Sequence, residues 1–224
     1  MSLLLPDTYR RPDAEVLPLI TPAAARATTE DGNTPLHVAA YNSSSVAVVQ
    51  ALLAAYPEAA KATDKDGYTP LHWAAACSSS VAVVQALLAA YPEAAMATNT
   101  EGWTSLHCAA FHNSSVAVVQ ALLAAYPEAA MATDVGGDTP AEIAKSNDNA
   151  EVKAFFARMS LLMDGSTYER PDAEVLPLIT PAAARATDSG GWTSLHCAAA
   201  WSSSVAVVQA LLAAYPEAAK ATTE

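Results

Sequence analysis

Apolar and polar positions along this chain follow a pattern that returns at a fixed interval. The string Ser-Ser-Val-Ala-Val-Val-Gln-Ala-Leu-Leu-Ala-Ala-Tyr-Pro-Glu-Ala-Ala stands unchanged at 44–60, 79–95, 114–130 and 203–219, and the first three copies are spaced by 35 residues. In the second copy Val83, Val84, Leu87 and Leu88 share one face of a helix predicted over 81–90. Pro92 ends it, because the residue before a proline avoids the helical region. Upstream, Leu71, Ala74 and Ala75 fall at i, i+3 and i+4 and predict a shorter helix. Thr69 is its N-cap, and Pro70 takes the first helical position, where a missing N–H costs nothing. Asp66-Gly67 is a turn pair, and serines after Cys77 break the first helix. Each period thus reads turn, short helix, loop, longer helix. A fixed period of this size marks a stacked solenoid rather than a single closed core.

The helix starts Thr34-Pro35-Leu36-His37 and Thr69-Pro70-Leu71-His72 are each followed by one residue and Ala-Ala, with Val-Val and Leu-Leu on the second helix. Thr104-Ser105-Leu106-His107 and Thr193-Ser194-Leu195-His196 depart from this only by Ser for Pro. The pattern resembles the ankyrin repeat. That resemblance implies an all-α helix-turn-helix solenoid with short β-turn or hairpin fingers. The family period is about 33, so the longer period here implies two extra residues, one in the inter-helix loop and one around Tyr-Pro-Glu. The resemblance further implies that fingers and first helices line a concave groove while second helices form its convex back. His37, His72, His107 and His196 then become structural hydrogen-bonders between neighbouring repeats.

Thr139-Pro140-Ala141-Glu142 opens a fourth unit in phase, and its second helix, predicted over 150–158, is polar enough to close a stack. Residues 12–33 are expected to form an N-terminal cap, kinked or shortened at Pro18. Residues 11–28 return unchanged as 170–187, and Met159-Ser160-Leu161-Leu162 echoes the chain start. The expected organisation is a capped module, 1–158, with cap 12–33, repeats 34–68, 69–103 and 104–138, and a cap-like repeat 139–158. A truncated second copy, 159–224, follows, with a cap-like half repeat 170–192 and a full repeat 193–224. Thr139 and Thr193 are 54 residues apart, 19 beyond one period, which predicts a break in the superhelix.

Composition narrows the function classes. Of 224 residues 52% are hydrophobic, much of that alanine, which suits closely packed helices. A formal charge of −12 repels phosphate backbones and anionic lipid, so neither nucleic acid nor a membrane is an expected partner. No signal peptide or span is expected. Three cysteines, an odd number, suit an intracellular, cytoplasmic setting, with the nucleus left open. Cys108 and His112 are spaced i, i+4, with Cys77 one repeat away. Zinc needs three or four ligands within about 2.0–2.3 Å, whereas packed helices lie roughly 8–10 Å apart, so no metal site is expected. The loop serines have no acidic residue near by in sequence, and Gly136-Gly137 and Gly190-Gly191 read as finger tips rather than phosphate loops. No catalytic residue and no cofactor are expected.

Where the second helices are identical, discrimination must lie where the copies differ. The residue before the helix-start Thr reads Asn33, Tyr68, Trp103, Asp138 and Trp192; the residue after the motif His reads Val38, Trp73, Cys108 and Cys197. The pair after Ala-Ala reads Tyr41-Asn42, Ala76-Cys77, Phe111-His112 and Ala200-Trp201. Aromatic side chains offer large rigid area with a polar handle and are enriched where partners bind. The candidate partner-binding set is therefore Asn33, Tyr41, Asn42, Tyr68, Trp73, Trp103, Phe111, His112, Asp138, Trp192 and Trp201. The expected function is a non-catalytic scaffold for a protein partner with a neutral or basic contact face. Two alternatives are an assembly-forming solenoid that self-associates through an uncapped C-terminal end, and a fragment of a larger protein with catalysis elsewhere.

Overall fold

A computed structural model describes residues 2–42, 44–77, 80–112, 114–185, 187, 192–201 and 203–220. Helices carry the fold, and the extended pairing recorded among the described residues is an isolated bridge between Thr187 and Thr193. After a 3-10 helix, Pro6–Arg10, the N-terminal cap holds α1 (Asp13–Val16), a 3-10 turn (Leu17–Leu19) and α2 (Pro22–Ala25). Pro18 thus divides the cap into short pieces. Four helix pairs follow: α3 (Pro35–Tyr41) with α4 (Val46–Ala55), α5 (Pro70–Cys77) with α6 (Val81–Ala90), α7 (Ser105–Phe111) with α8 (Val116–Ala125), and α9 (Pro140–Ile143) with α10 (Ala150–Met163). First helices pack on first helices and second on second along the row.

Local chemistry starts each pair. The Thr34 side chain accepts from the His37 backbone N–H, while the Thr34 N–H donates to His37 Nδ1, a capping box with histidine in the third helical position. Thr104 with His107, Thr139 with Glu142 and Thr193 with His196 repeat it. Ser45, Ser115 and Ser204 cap their second helices through the side chain. Helices of 7 to 10 residues are too short to persist alone in water. Stacking holds them: Leu36, Leu71 and Leu106 of the first helices and Val49, Val84 and Val119 of the second are all but fully buried. Each buried leucine contributes about 1.5–3 kcal/mol.

The proline after each second helix does more than stop it. Tyr56, Tyr91 and Tyr126 turn the chain, and 3-10 helices Pro57–Lys61, Pro92–Ala95 and Pro127–Met131 each bury an alanine pair and pack on the helices of the next repeat.

Helix α10 runs on to Met163 rather than ending at 158. Asn149 caps its start, and no breaker intervenes before Asp164-Gly165. Phe155, Phe156, Met159 and Leu162 are buried along it. The shared Ser-Leu-Leu is therefore helical here but a turn at the chain start, while Tyr9 Oη donates to Leu3 O (2.7 Å) and Tyr168 Oη to Leu162 O (2.8 Å) in the same way. A 3-10 helix Gly165–Glu169, α11 (Asp172–Val175), Leu176–Leu178 and α12 (Pro181–Arg185) mirror the N-terminal cap. Helix α12 packs on α8 and α10. Helix α13 (Ser194–Ala200) meets α10, α12 and Gly165–Glu169, and α14 (Val205–Ala214) meets α12 and α13. The finger expected at Gly190-Gly191 lies outside the described residues. Among those described, no helix is long and apolar enough to cross a membrane.

Candidate functional site

Each finger is a tight turn pinned by its own side chain. Asp64 Oδ1 accepts from the backbone N–H of Asp66 and Tyr68, and Gly67 takes φ +83° at the tip, a conformation that a side chain disfavours. Asn99 and Asp134 do the same for their fingers. Successive fingers are joined by backbone bonds: Lys65 N to Asp31 O (2.9 Å), Thr100 N to Asp66 O (3.0 Å) and Val135 N to Glu101 O (3.0 Å). The motif histidine then clamps the next finger. His37 Nε2 reaches Tyr68 O (3.1 Å), His72 Nε2 reaches Trp103 O (3.0 Å) and His107 Nε2 reaches Asp138 O (3.3 Å). Tyr68, Trp103 and Asp138 thus project from a backbone held on both sides.

The aromatic residues meet in two groups. Trp73 stacks on Tyr68 with ring centres 4.9 Å apart, and Tyr41 of the preceding repeat stands nearly perpendicular to Trp73 at 5.4 Å. Trp103 lies 5.3 Å from Phe111, whose ring meets His112 edge-on. Tyr41 and Phe111 are about half exposed, and Tyr68, Trp73 and Trp103 are partly buried. Trp73 Nε1 donates to Asp64 Oδ2 (3.1 Å) and Trp103 Nε1 to Asp134 Oδ2 (3.0 Å), so the indole handles are already engaged and fix the rings. The backbone N–H of Asp138, joined by that indole N–H, holds the Asp134 carboxyl below the usual range. Burial lowers the His112 imidazole.

A cavity of about 270 Å³ opens at the first repeat, and Asn33, Tyr41, Asn42 and Trp73 line it. Its other walls are Thr29, Asp31 at the finger tip, His37 and Val38, together with two residues that the repeat pattern did not point to, Leu4 and Pro6 from the N-terminal segment laid on α3. Their signal was faint, since Leu4 and Pro6 belong to no repeat. Asn42 is committed to its own helix, donating from Nδ2 to Val38 O (2.8 Å). Asp138 is exposed in the finger at 134–138. Trp192 and Trp201 sit on the second copy and are not among the residues lining this cavity. The Trp192 ring is 6.0 Å from His196, and the Trp201 indole lies so close over Gly165 that no Cβ would fit there. Cys108 is buried, and burial pushes its thiol well above the ordinary range. Among the described residues no three His, Cys, Asp or Glu side chains converge.

Comparison with known proteins adds a family. A family description of ankyrin repeats, three copies, matches residues 10–96 and 49–132, and that of a single ankyrin repeat matches 190–220. A search of curated proteins finds no match.

Proposed function

This chain belongs to the ankyrin repeat family, and on that premise we propose that it is a non-catalytic scaffold holding a protein partner in its concave groove. One observation carries the reading: side chains that differ between copies, Tyr41, Tyr68 and Trp73, come from two successive repeats and meet as one ring cluster. Rigid, partly exposed rings beside an otherwise invariant alanine scaffold suit binding anchors. Tyr68, Trp73, Trp103 and Phe111 act as central anchors, with Asn33, Tyr41, Asn42, His112 and Asp138 at the rim. Trp192 and Trp201 serve the second copy. The four fingers at 29–33, 64–68, 99–103 and 134–138 carry seven carboxylates against Lys65 alone, which favours a neutral or basic partner face. The module boundaries 1–158 and 159–224 remain part of this proposal, with α10 as the joint. Three thiol cysteines agree with a cytoplasmic setting. Affinity capture with the intact protein and with a folded Trp73→Ala/Trp103→Ala variant tests the groove. The variant is expected to lose partners that the intact protein recovers, and equal recovery would overturn the reading.

A second reading draws on the last helix pair. His107, Ala110, Leu123 and Ala130 are buried in the third repeat, but their counterparts His196, Ala199, Leu212 and Ala219 are partly or fully exposed. Such an apolar flank supports association through this end. Light scattering across a concentration series checks it, and a strict monomer at every concentration would remove it.

A further inference from the structure

The cavity at the first repeat has a chemistry more specific than a generic groove. Its walls include two aromatic rings set 79° apart, Tyr41 and Trp73, with the carboxylate of Asp31 at the finger tip. Trp73 is fixed in place by its stack on Tyr68 and its bond to Asp64, so the wall is preorganised. A cation beside a ring face gains from the ring quadrupole, and a nearby carboxylate adds charge attraction. The protein already places one cation at this lip: Lys65 Nζ pairs with Asp31 Oδ1, outside the residues that line the cavity. That bond to Asp31 raises the Lys65 ammonium above its ordinary range.

The second copy supplies an internal contrast. An offset of 159 residues aligns Pro6 with Gly165, Asp31 with Gly190, Tyr41 with Ala200 and Asn42 with Trp201. There the sequence has lost the carboxylate and the tyrosine ring, and the Trp201 indole lies against Gly165. The features that suit a cation occur together only in the first copy.

We propose that this cavity is a subsite for the cationic head of a lysine or arginine side chain, carried by a basic segment of the protein partner. The inference rests on the groove reading and deepens it. Lys65 acts as a resident competitor for the Asp31 carboxylate, and the incoming head lies between that carboxylate and the Tyr41 and Trp73 rings.

Fluorescence anisotropy with three labelled glycine-serine peptides of equal length, bearing lysines, arginines or glutamates, tests this. The lysine or the arginine peptide binds, whichever head fits better, and the glutamate peptide does not. At exposed positions, Tyr41→Leu weakens binding about three- to thirtyfold, the range for a cation over a ring, and Asp31→Asn weakens it by removing the charge attraction. Lys65→Gln strengthens it severalfold by vacating Asp31. Failure of both cationic peptides to bind overturns the subsite. So does binding that added salt abolishes but that none of the three substitutions alters, because the attraction would then be diffuse charge. If capture of a natural partner is lost in Trp103→Ala but kept in Tyr41→Leu and Asp31→Asn, the groove stands and this subsite falls.

Discussion

At the scale of single residues, the motif histidine shows how one side chain serves two repeats. Nδ1 accepts from the N–H of its own helix-cap threonine, and Nε2 faces a carbonyl, which can only accept. The ring must therefore be neutral with its proton on Nε2. Protonating Nδ1 would set a donor against a donor in a buried site. Burial, the largest influence, lowers the imidazoles of His37, His72 and His107, and His72 falls to about 4. An unfolded histidine titrates near about 6.5. Between those values the unfolded chain binds more protons, so stability rises with pH. The contribution of His72 is complete above about 6.5 and is lost as pH falls toward about 4, on the order of 3 kcal/mol. Urea unfolding followed by circular dichroism is expected to show midpoints falling between pH 7 and pH 5. His72→Gln should be less stable at neutral pH and show a flatter pH slope. A midpoint that stays constant across that interval would contradict the neutral, buried ring.

At the scale of elements, α10 decides how the two copies are joined. Its last turn uses residues that, at the chain start, form a turn, and the buried Met159 and Leu162 tie that turn to the phenylalanines before it. Ser160 is exposed, so its side chain is dispensable and its backbone is not. Ser160→Pro removes a helical hydrogen bond and crowds the preceding turn, with an expected cost of about 3 kcal/mol. A loss of that size in thermal or urea unfolding supports one continuous helix. A variant as stable as the parent would mean that the second copy starts afresh at Met159. Sequence and structure agree best where an element's ends have local causes. Val81–Ala90 was legible to the residue because Pro92 stops it and its valines and leucines share a face. The end of α10 was not, because fusion to a preceding helix changes what Ser-Leu-Leu can do. The same limit applies to the candidate site. The varying positions Tyr41, Tyr68 and Trp73 could be read from the repeat. Leu4 and Pro6 could not, since only the folded N-terminal segment brings them there.

At the scale of the whole molecule, stability is expected to be uneven along the row. In a stack each unit touches only its neighbours, so a unit covered on both flanks is held by two interfaces and an end unit by one. The pairs α5–α6 and α7–α8 are covered on both flanks, and their buried residues are close to fully enclosed. The last pair differs in composition very little, since α14 has the same sequence as α4, α6 and α8. Yet Val208 and Leu212 are partly exposed, whereas their counterparts Val119 and Leu123 are sealed. His196 likewise lies half-buried, where His107 bonds a following finger. One identical ten-residue helix therefore sits in different surroundings, which isolates the effect of neighbours from that of sequence. Local opening follows buried contact and backbone protection. Amide hydrogen exchange read by mass spectrometry should find α6 and α8 slowest, α4 intermediate because its outer flank meets only the short cap helices, and α14 fastest. The four helices share one sequence, so intrinsic exchange rates cancel, and peptides that run back into Tyr41-Asn42, Ala76-Cys77, Phe111-His112 or Ala200-Trp201 assign each helix to its repeat. Equal protection in all four would mean that the chain opens as one cooperative body, and the nearest-neighbour account of its stability would fail.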